Sequence, residues 1–203
     1  RPIVLLKKRS RGTCLHLSEN NYIGVMLPYT PLHVLLLGDD LDCLVMTSAN
    51  LSDTPIVYKN AEAAEKLAGI ADGFLLHDRE ILTRCDDSLI RIYEGRDYPV
   101  RRSRGYAPHP ISVNHLAEGL LACGAEQKAG FCISKEGHAF PSQHIGDLKN
   151  LETLDCYEEQ LRHFAQLFDF EPLAAACDMH PDYLSTEVAE RIASERGIPL
   201  LRV

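Results

Sequence analysis

Apolar residues along the 203-residue chain fall into short runs separated by polar, Gly and Pro clusters. Residues 2–6 (PIVLL) and 23–27 (IGVML) read as strands, the second stopped by Pro28, with a polar stretch between them. Tyr29, Thr30 and Pro31 open a short helix that runs through the Leu35 region. Residues 41–46 (LDCLVM) and 73–76 (GFLL) read as two more strands. Residues 60–69 (NAEAAEKLAG) combine an N-cap residue, strong helix formers and a terminal Gly, which predicts a helix. Residues 88–93 (SLIRIY) alternate, and this strand should pair across a turn at Glu94 and Gly95.

The pattern changes beyond a breaker-rich segment, residues 108–114, where we place a boundary between domains 1–113 and 114–203. Residues 119–123, 130–134 and 138–142 predict a three-stranded meander, with a turn at Lys135, Glu136 and Gly137. A long amphipathic helix follows over 151–168, with Asn150 as its N-cap. Its apolar positions Leu151, Leu154, Leu161, Phe164, Leu167 and Phe168 share one face. Residues 173–177 form a small-residue strand ending at Asp178. Ser185 could cap a helix carrying Leu184, Val188 and Ile192, closed by Gly197. Leu200 and Leu201 begin the next strand, which completes a βαβ unit. The expected class is therefore α/β, in two lobes. The chain opens and closes on strand-like runs and lacks an initiator Met, so a piece of a longer polypeptide is expected. Sheets cut in this way would leave edges that borrow a strand or dimerise.

Composition narrows the function. Net charge is -8, with 29 acidic against 21 basic residues. That disfavours a general nucleic-acid-binding surface, so any anion site must be a local cluster. The seven cysteines include no C-x-x-C pair, which suits reduced, buried thiols in a cytoplasmic protein. No signal peptide is visible, and the apolar runs are too short to cross a bilayer. No H-x-x-x-H, H-E-x-x-H or Cys quartet marks a metal site, and neither G-x-S-x-G nor a Walker A loop is present.

Four stretches could carry chemistry. Thr47-Ser48-Ala49-Asn50 ends an apolar run on hydroxyl and amide groups. These could hold phosphate oxygens or a small acyl group, or form a polar turn capped by Asn50. Arg91, Arg96, Arg101, Arg102 and Arg104 crowd one segment of an acidic chain. Guanidinium groups bind phosphate bidentately; they could equally pair with Asp86, Asp87 and Asp97. Residues 143–148 (QHIGDL) place His144 and Asp147 at a strand-to-helix junction, where either could be structural. Asp178 and His180 lie just past a predicted parallel strand, where ligands of open α/β sheets bind.

Several of these segments together resemble a known family. LPYTPLH (27–33), VMTSANLSDTPI (45–56), ADGFLLHDREI (71–81), DDSLIR (86–91) and RRSRGYAP (101–108) are similar to the YrdC-like domain of HypF, the carbamoyltransferase family of [NiFe]-hydrogenase maturation. SQHIGDLKNLET (142–153) and CDMHPDYLST (177–186) are similar to the start of that family's last domain, an actin-like ATPase fold. The resemblance runs through nearly the whole chain, in order. It implies a partial twisted mixed sheet followed by a partial actin-like lobe with the meander and βαβ unit. It also implies that carbamoyl phosphate and ATP, with Mg2+, yield carbamoyl adenylate, whose carbamoyl group passes to the C-terminal cysteine of a HypE-type partner.

By that resemblance Ser48 and Asn50 match an S-x-N nucleotide motif, Ser88 a hydroxyl near the phosphates, and Arg102 and Arg104 the arginine-rich end of the domain. Gly124, Lys128, His144, Asp147, Asp178 and His180 become candidates for the second lobe's site, with Gln127 where an apolar residue is expected. No metal ligand is assigned; zinc or another divalent metal is expected only in the complete parent protein. Catalysis by this segment alone is not expected. A threonylcarbamoyl-adenylate synthase would share S-x-N but lack residues 144–186. A non-catalytic nucleotide-binding scaffold is the alternative from another class.

Overall fold

The computed structural model describes residues 1–9 and 17–203. Part of the predicted polar connection after the first strand, Cys14 included, lies outside the described residues. The first sheet contains β1 (Ile3–Lys7), β2 (Tyr22–Val25), β3 (Leu89–Tyr93) and β4 (Arg96–Arg101). Its order is β2-β1-β3-β4. Strand β1 runs parallel to β3, and the two outer pairs are antiparallel, so the sheet is mixed. The turn joining β3 to β4 falls at Glu94 and Gly95, both with positive φ (49° and 72°). Left-handed backbone at both positions suits a tight hairpin turn.

Helix α1 (Pro31–Leu37) starts as its sequence dictates. The Thr30 side chain accepts the His33 N–H at 3.1 Å, and Pro31 takes the first turn, where no N–H is needed. Helix α2 (Asn60–Lys66) is shorter than the pattern predicts. Asn60 is not its cap: Lys59 holds that position, and the Asn60 amide donates to the His77 carbonyl at 2.8 Å. The helix ends before Gly69, with Leu67 as its C-cap. Residues 41–46 and 73–76 are not strands. Neither run joins a ladder with another described segment, and apolar composition alone does not make a strand without a hydrogen-bonded neighbour.

The second sheet has six strands: β5 (Ile111–Ser112), β6 (Leu120–Cys123), β7 (Phe131–Lys135), β8 (His138–Pro141), β9 (Ala174–Cys177) and β10 (Leu200–Arg202). Their order is β10-β9-β6-β7-β8-β5. Strands β6, β9 and β10 are parallel, while β6-β7-β8-β5 pair antiparallel. The meander and the βαβ unit are both present. Leu121, Phe131, Ile133 and Cys177 of this sheet pack with Leu148 and with Tyr157 and Phe164 of α3 (Leu151–Leu167). The buried stripe of α3 is Thr153, Cys156, Tyr157, Gln160 and Phe164. Leu151 and Leu167, expected on that face, are exposed. At 100° per residue Leu151 lies on the far side of the helix from this stripe, whereas Leu167 falls within the stripe's angular range and is exposed as the last residue of the helix.

Asn150 caps α3 as predicted, its side chain accepting the Thr153 N–H at 2.9 Å. Helix α4 (Leu184–Arg196) closes on Gly197 in the left-handed conformation. Ser185, the predicted cap, lies one residue inside the helix and is buried; Tyr183 occupies the cap position without a side-chain bond.

Candidate functional site

Three parallel directions converge at one edge of the second sheet. Strands β6 and β9 are parallel, and β8 shares their direction because it is antiparallel to β7. The carboxyl ends of β6, β8 and β9 therefore deliver residues 124–128, 142–147 and 178–183 to the same edge, the usual ligand position in open α/β sheets. The register Ala122↔Ala176 sets Gly124 beside Asp178 in strand order.

Close backbone approach explains Gly124. A β-carbon there would lie 2.6 Å from the Gly130 carbonyl oxygen, while its N–H donates to that same oxygen at 3.1 Å. The following turn is pinned to the segment after β8. The Ala129 N–H donates to Gly146 O at 2.7 Å, Leu148 N–H to Glu126 O at 2.9 Å, and Lys128 N–H to Asp147 Oδ1 at 2.7 Å. That backbone donor, with Lys149 3.4 Å from the other oxygen, holds the Asp147 carboxyl below the usual carboxylate range, against the opposing effect of desolvation. Gly124, Lys128 and Asp147 thus form one unit. Asp178 and His180 form another: Asp178 Oδ1 accepts the His180 N–H at 2.8 Å, and the His180 ring stacks on Tyr183 at 4.2 Å.

In the first sheet's half, Ser88 and the arginine segment are tied together. The buried Ser88 hydroxyl donates to Arg104 O at 3.0 Å and accepts the Ser103 N–H at 2.8 Å. Arg102 Nη2 donates to Tyr106 O and His109 O, so this guanidinium closes its own turn. Arg104 is half exposed. Its guanidinium donates to the Tyr29 hydroxyl and, at 3.2 Å, to Cys85 O, and lies 3.7 Å from Asp87. Burial raises the Tyr29 phenol above its ordinary range; Arg104 opposes this, and Asp87 adds to it. The acidic partners foreseen for the arginines are partly realised, since Arg101 also approaches Asp86 at 3.9 Å.

Ser48 and Asn50 lie in a separate turn. The Ser48 hydroxyl donates to Asn50 Oδ1, and the Asn50 amide donates to Leu51 O and Thr54 O. No hydrogen bond or ion pair among the described residues joins this turn directly to Arg102 or Arg104. The link is indirect. Arg84 Nε donates to Ile56 O, and the adjacent Cys85 carbonyl accepts from Arg104.

The two halves meet along a polar seam. Arg84 faces Glu159 at 3.4 Å, Thr83 donates to Gln160 Oε1 at 2.9 Å, and Gln143 donates to the same oxygen. His144 Nδ1 lies 2.9 Å from Asp86 Oδ2, and the His144 N–H donates to Arg102 O at 2.9 Å. A small cleft opens here, lined by Ile56, Arg84, Asp86, His144, Cys156 and Gln160. His144 therefore groups with the arginine segment of the first half, whereas Asp178 and His180 form their own loop. Tyr29, Arg84 and Asp86 were absent from the predicted site set. Tyr29 and Asp86 lie in segments that carry the resemblance, Arg84 lies between two of them, and no spacing relates Asp86 to His144. The described residues gather no group of three His, Cys, Asp or Glu side chains able to hold a metal ion. No described helix is long and apolar enough to cross a membrane.

Comparison with known proteins covers both halves. Residues 1–103 match the Sua5/YciO/YrdC family model, described as "Telomere recombination", and residues 115–203 match "HypF Kae1-like domain". Carbamoyltransferase HypF2 of Cupriavidus necator is 42% identical over all of this chain and 28% of its own length. Carbamoyltransferase HypF of Synechocystis sp. is 44% identical over 95% of this chain and 25% of its own length. A crystal structure of full-length HypF in a phosphate- and nucleotide-bound form superposes with a TM-score of 0.90 at 42% identity, covering all of this chain and 32% of that one. T. kodakarensis HypF gives 0.92 at 39% identity, covering all of this chain and 27% of that one. The chain thus spans between a quarter and a third of the length of these relatives.

Proposed function

The chain belongs to the HypF carbamoyltransferase family, and from that premise we propose that it contributes parts of both nucleotide-handling sites of an ATP-dependent carbamoyltransferase. In the first half, carbamate released from carbamoyl phosphate attacks the α-phosphate of ATP. Pyrophosphate leaves and carbamoyl adenylate remains. In the second, a thiolate attacks the carbamoyl carbon and AMP leaves. The acceptor we expect is the C-terminal cysteine of a HypE-type protein, with Mg2+ accompanying the nucleotide.

One observation carries this reading: about 40% identity runs over the whole chain to a structure described as phosphate- and nucleotide-bound. The local geometry agrees with it. Charge builds on the phosphates during adenylate transfer, and preorganised donors stabilise it. Arg104 is half exposed and anchored by Tyr29, Asp87 and Cys85 O, whereas Arg102 is committed to carbonyls of its own turn. Arg104 is therefore the phosphate-facing arginine of the two in this proposal. Ser88 holds the segment's backbone in place, and Ser48 and Asn50, whose donors close their own turn, set the shape of the neighbouring loop. The second half supplies Gly124, Lys128, Asp147, Asp178 and His180 along one sheet edge.

The test is carbamoyl-phosphate-dependent exchange of labelled pyrophosphate into ATP, measured on the full-length protein that carries this chain. Arg104→Ala should lower exchange by about 10- to 100-fold, the scale of a lost hydrogen bond to a charged group. Unchanged exchange in both Arg104→Ala and Asn50→Ala would remove the first-half assignment.

A further inference from the structure

His144 belongs to the second sheet's half by sequence, yet its polar contacts are with the first. It reaches the arginine segment directly at one point and through Asp86 at another. Its N–H donates to Arg102 O at 2.9 Å, and its ring Nδ1 meets Asp86 Oδ2 at 2.9 Å. Asp86 in turn accepts the Arg104 N–H at its own carbonyl, 3.0 Å away. An ionised carboxylate only accepts, so Nδ1 carries the proton in this pair. The side chains of His144 and Asp86 are each about four-fifths buried (19% and 18% exposed), and Arg101 is the further cation near the same carboxylate. Two short bonds from one residue thus fix the backbone on both sides of Ser103, immediately before the half-exposed Arg104.

We propose that His144 is a positioning residue for the first-half reaction: the second lobe, through His144 and Asp86, sets the aim of Arg104. The two half-reactions are then mechanically joined, because the same residue lies between Gln143 and Ile145 at the carboxyl end of β8. Gln143 donates into α3 at Gln160, and the Ile145 N–H donates to Ala129 O in the pinned turn. A shift in that turn is transmitted to the arginine segment through one peptide unit. This inference rests on the adenylate assignment above.

Pyrophosphate exchange and amide hydrogen exchange over residues 101–105 test it on the full-length protein that carries this chain. His144→Ala should lower exchange kcat/KM by about 10- to 100-fold, the scale set by an ångström-sized misplacement of a catalytic group. It should also speed amide exchange in that segment. His144→Asn, whose amide nitrogen can occupy the Nδ1 position, should restore most of the activity. Asp86→Ala, which removes the acceptor of the Nδ1 proton, should reproduce the fall from the other side of the bond. In an Arg104→Ala background, His144→Ala should add less than about a twofold further loss, because both act through one guanidinium. A full additional loss in that background, or undiminished exchange in His144→Ala and Asp86→Ala, overturns the inference and leaves the adenylate assignment standing. A wild-type protein without exchange activity overturns both.

Discussion

The two halves of this chain contain similar apolar runs and use them differently. In the second half, Leu121, Phe131, Ile133, Leu148, Tyr157 and Phe164 meet in one buried cluster between a six-stranded sheet and α3. In the first, only Leu67 and Ile90 among the described apolar residues before position 114 are buried. Leu35, Val45, Leu75 and Leu82 are each more than 70% exposed. An apolar residue stabilises a fold only when a partner surface removes it from water. The second half supplies that surface within about 90 residues of contiguous chain; the first half's apolar runs have little described structure to pack against.

The most direct way to break this contrast is truncation on each side. Ile133 is fully buried, and Ile133→Ala should cost about 2–5 kcal/mol through lost transfer energy and a residual cavity. Leu35→Ala should stay within about 0.5 kcal/mol, as surface substitutions do. Denaturant unfolding of the protein that carries this chain would measure both. Similar losses at the two positions would mean that the first half's apolar surface is covered in solution.

The same contrast explains what could be read in advance. Local rules succeeded where the deciding partners are close in sequence. Thr30 and Asn150 cap their helices, Gly197 ends α4, and Glu94-Gly95 and Glu136-Gly137 turn the hairpins. They failed where the decision lies elsewhere in the molecule. Residues 41–46 carry strand-forming side chains, but a ladder needs a second strand. Ser185 and Asn60 are good capping residues, but the caps fall earlier, two residues before Ser185 at Tyr183 and one before Asn60 at Lys59. The mixed α/β architecture in two sheets was legible; the seam was not. The partner of His144 is 58 residues away at Asp86, and periodicity cannot reach that far. The arginine cluster pointed to its segment without distinguishing Arg102, turned into its own carbonyls, from the half-exposed Arg104.

A buried thiol sharpens the picture of the second core. Burial pushes Cys123 up to about 11 from an ordinary value of 9.0. Below pH 9 the thiol is protonated in both the folded and unfolded chain, and its contribution is constant. Between about pH 9 and 11 the unfolded chain loses a proton that the folded one keeps. Stability should therefore fall with rising pH, by about 1.4 kcal/mol per unit from this group, or about 3 kcal/mol in all. Urea unfolding at successive pH values would read the slope, and Cys123→Ala should flatten it by one proton. An unaltered slope in that variant would place the ionising group elsewhere.

A smaller loss than that at Ile133 is expected where the two halves touch. Asn150 serves both at once: its Oδ1 accepts from Thr153 N and Thr153 Oγ1 at the start of α3, and its Nδ2 donates to Asp53 O at 2.8 Å in the first half. Asn150→Ala removes the cap and the bridge together and should cost about 1 kcal/mol, the usual price of a lost N-cap. Asn150→Asp separates them. The carboxylate still accepts the Thr153 N–H and suits the positive end of the helix, but it has no donor for Asp53 O. If capping dominates, Asn150→Asp should unfold close to the parent in denaturant. If the bridge between the halves dominates, it should lose as much as Asn150→Ala, and the second half's stability would then depend on the first at this point.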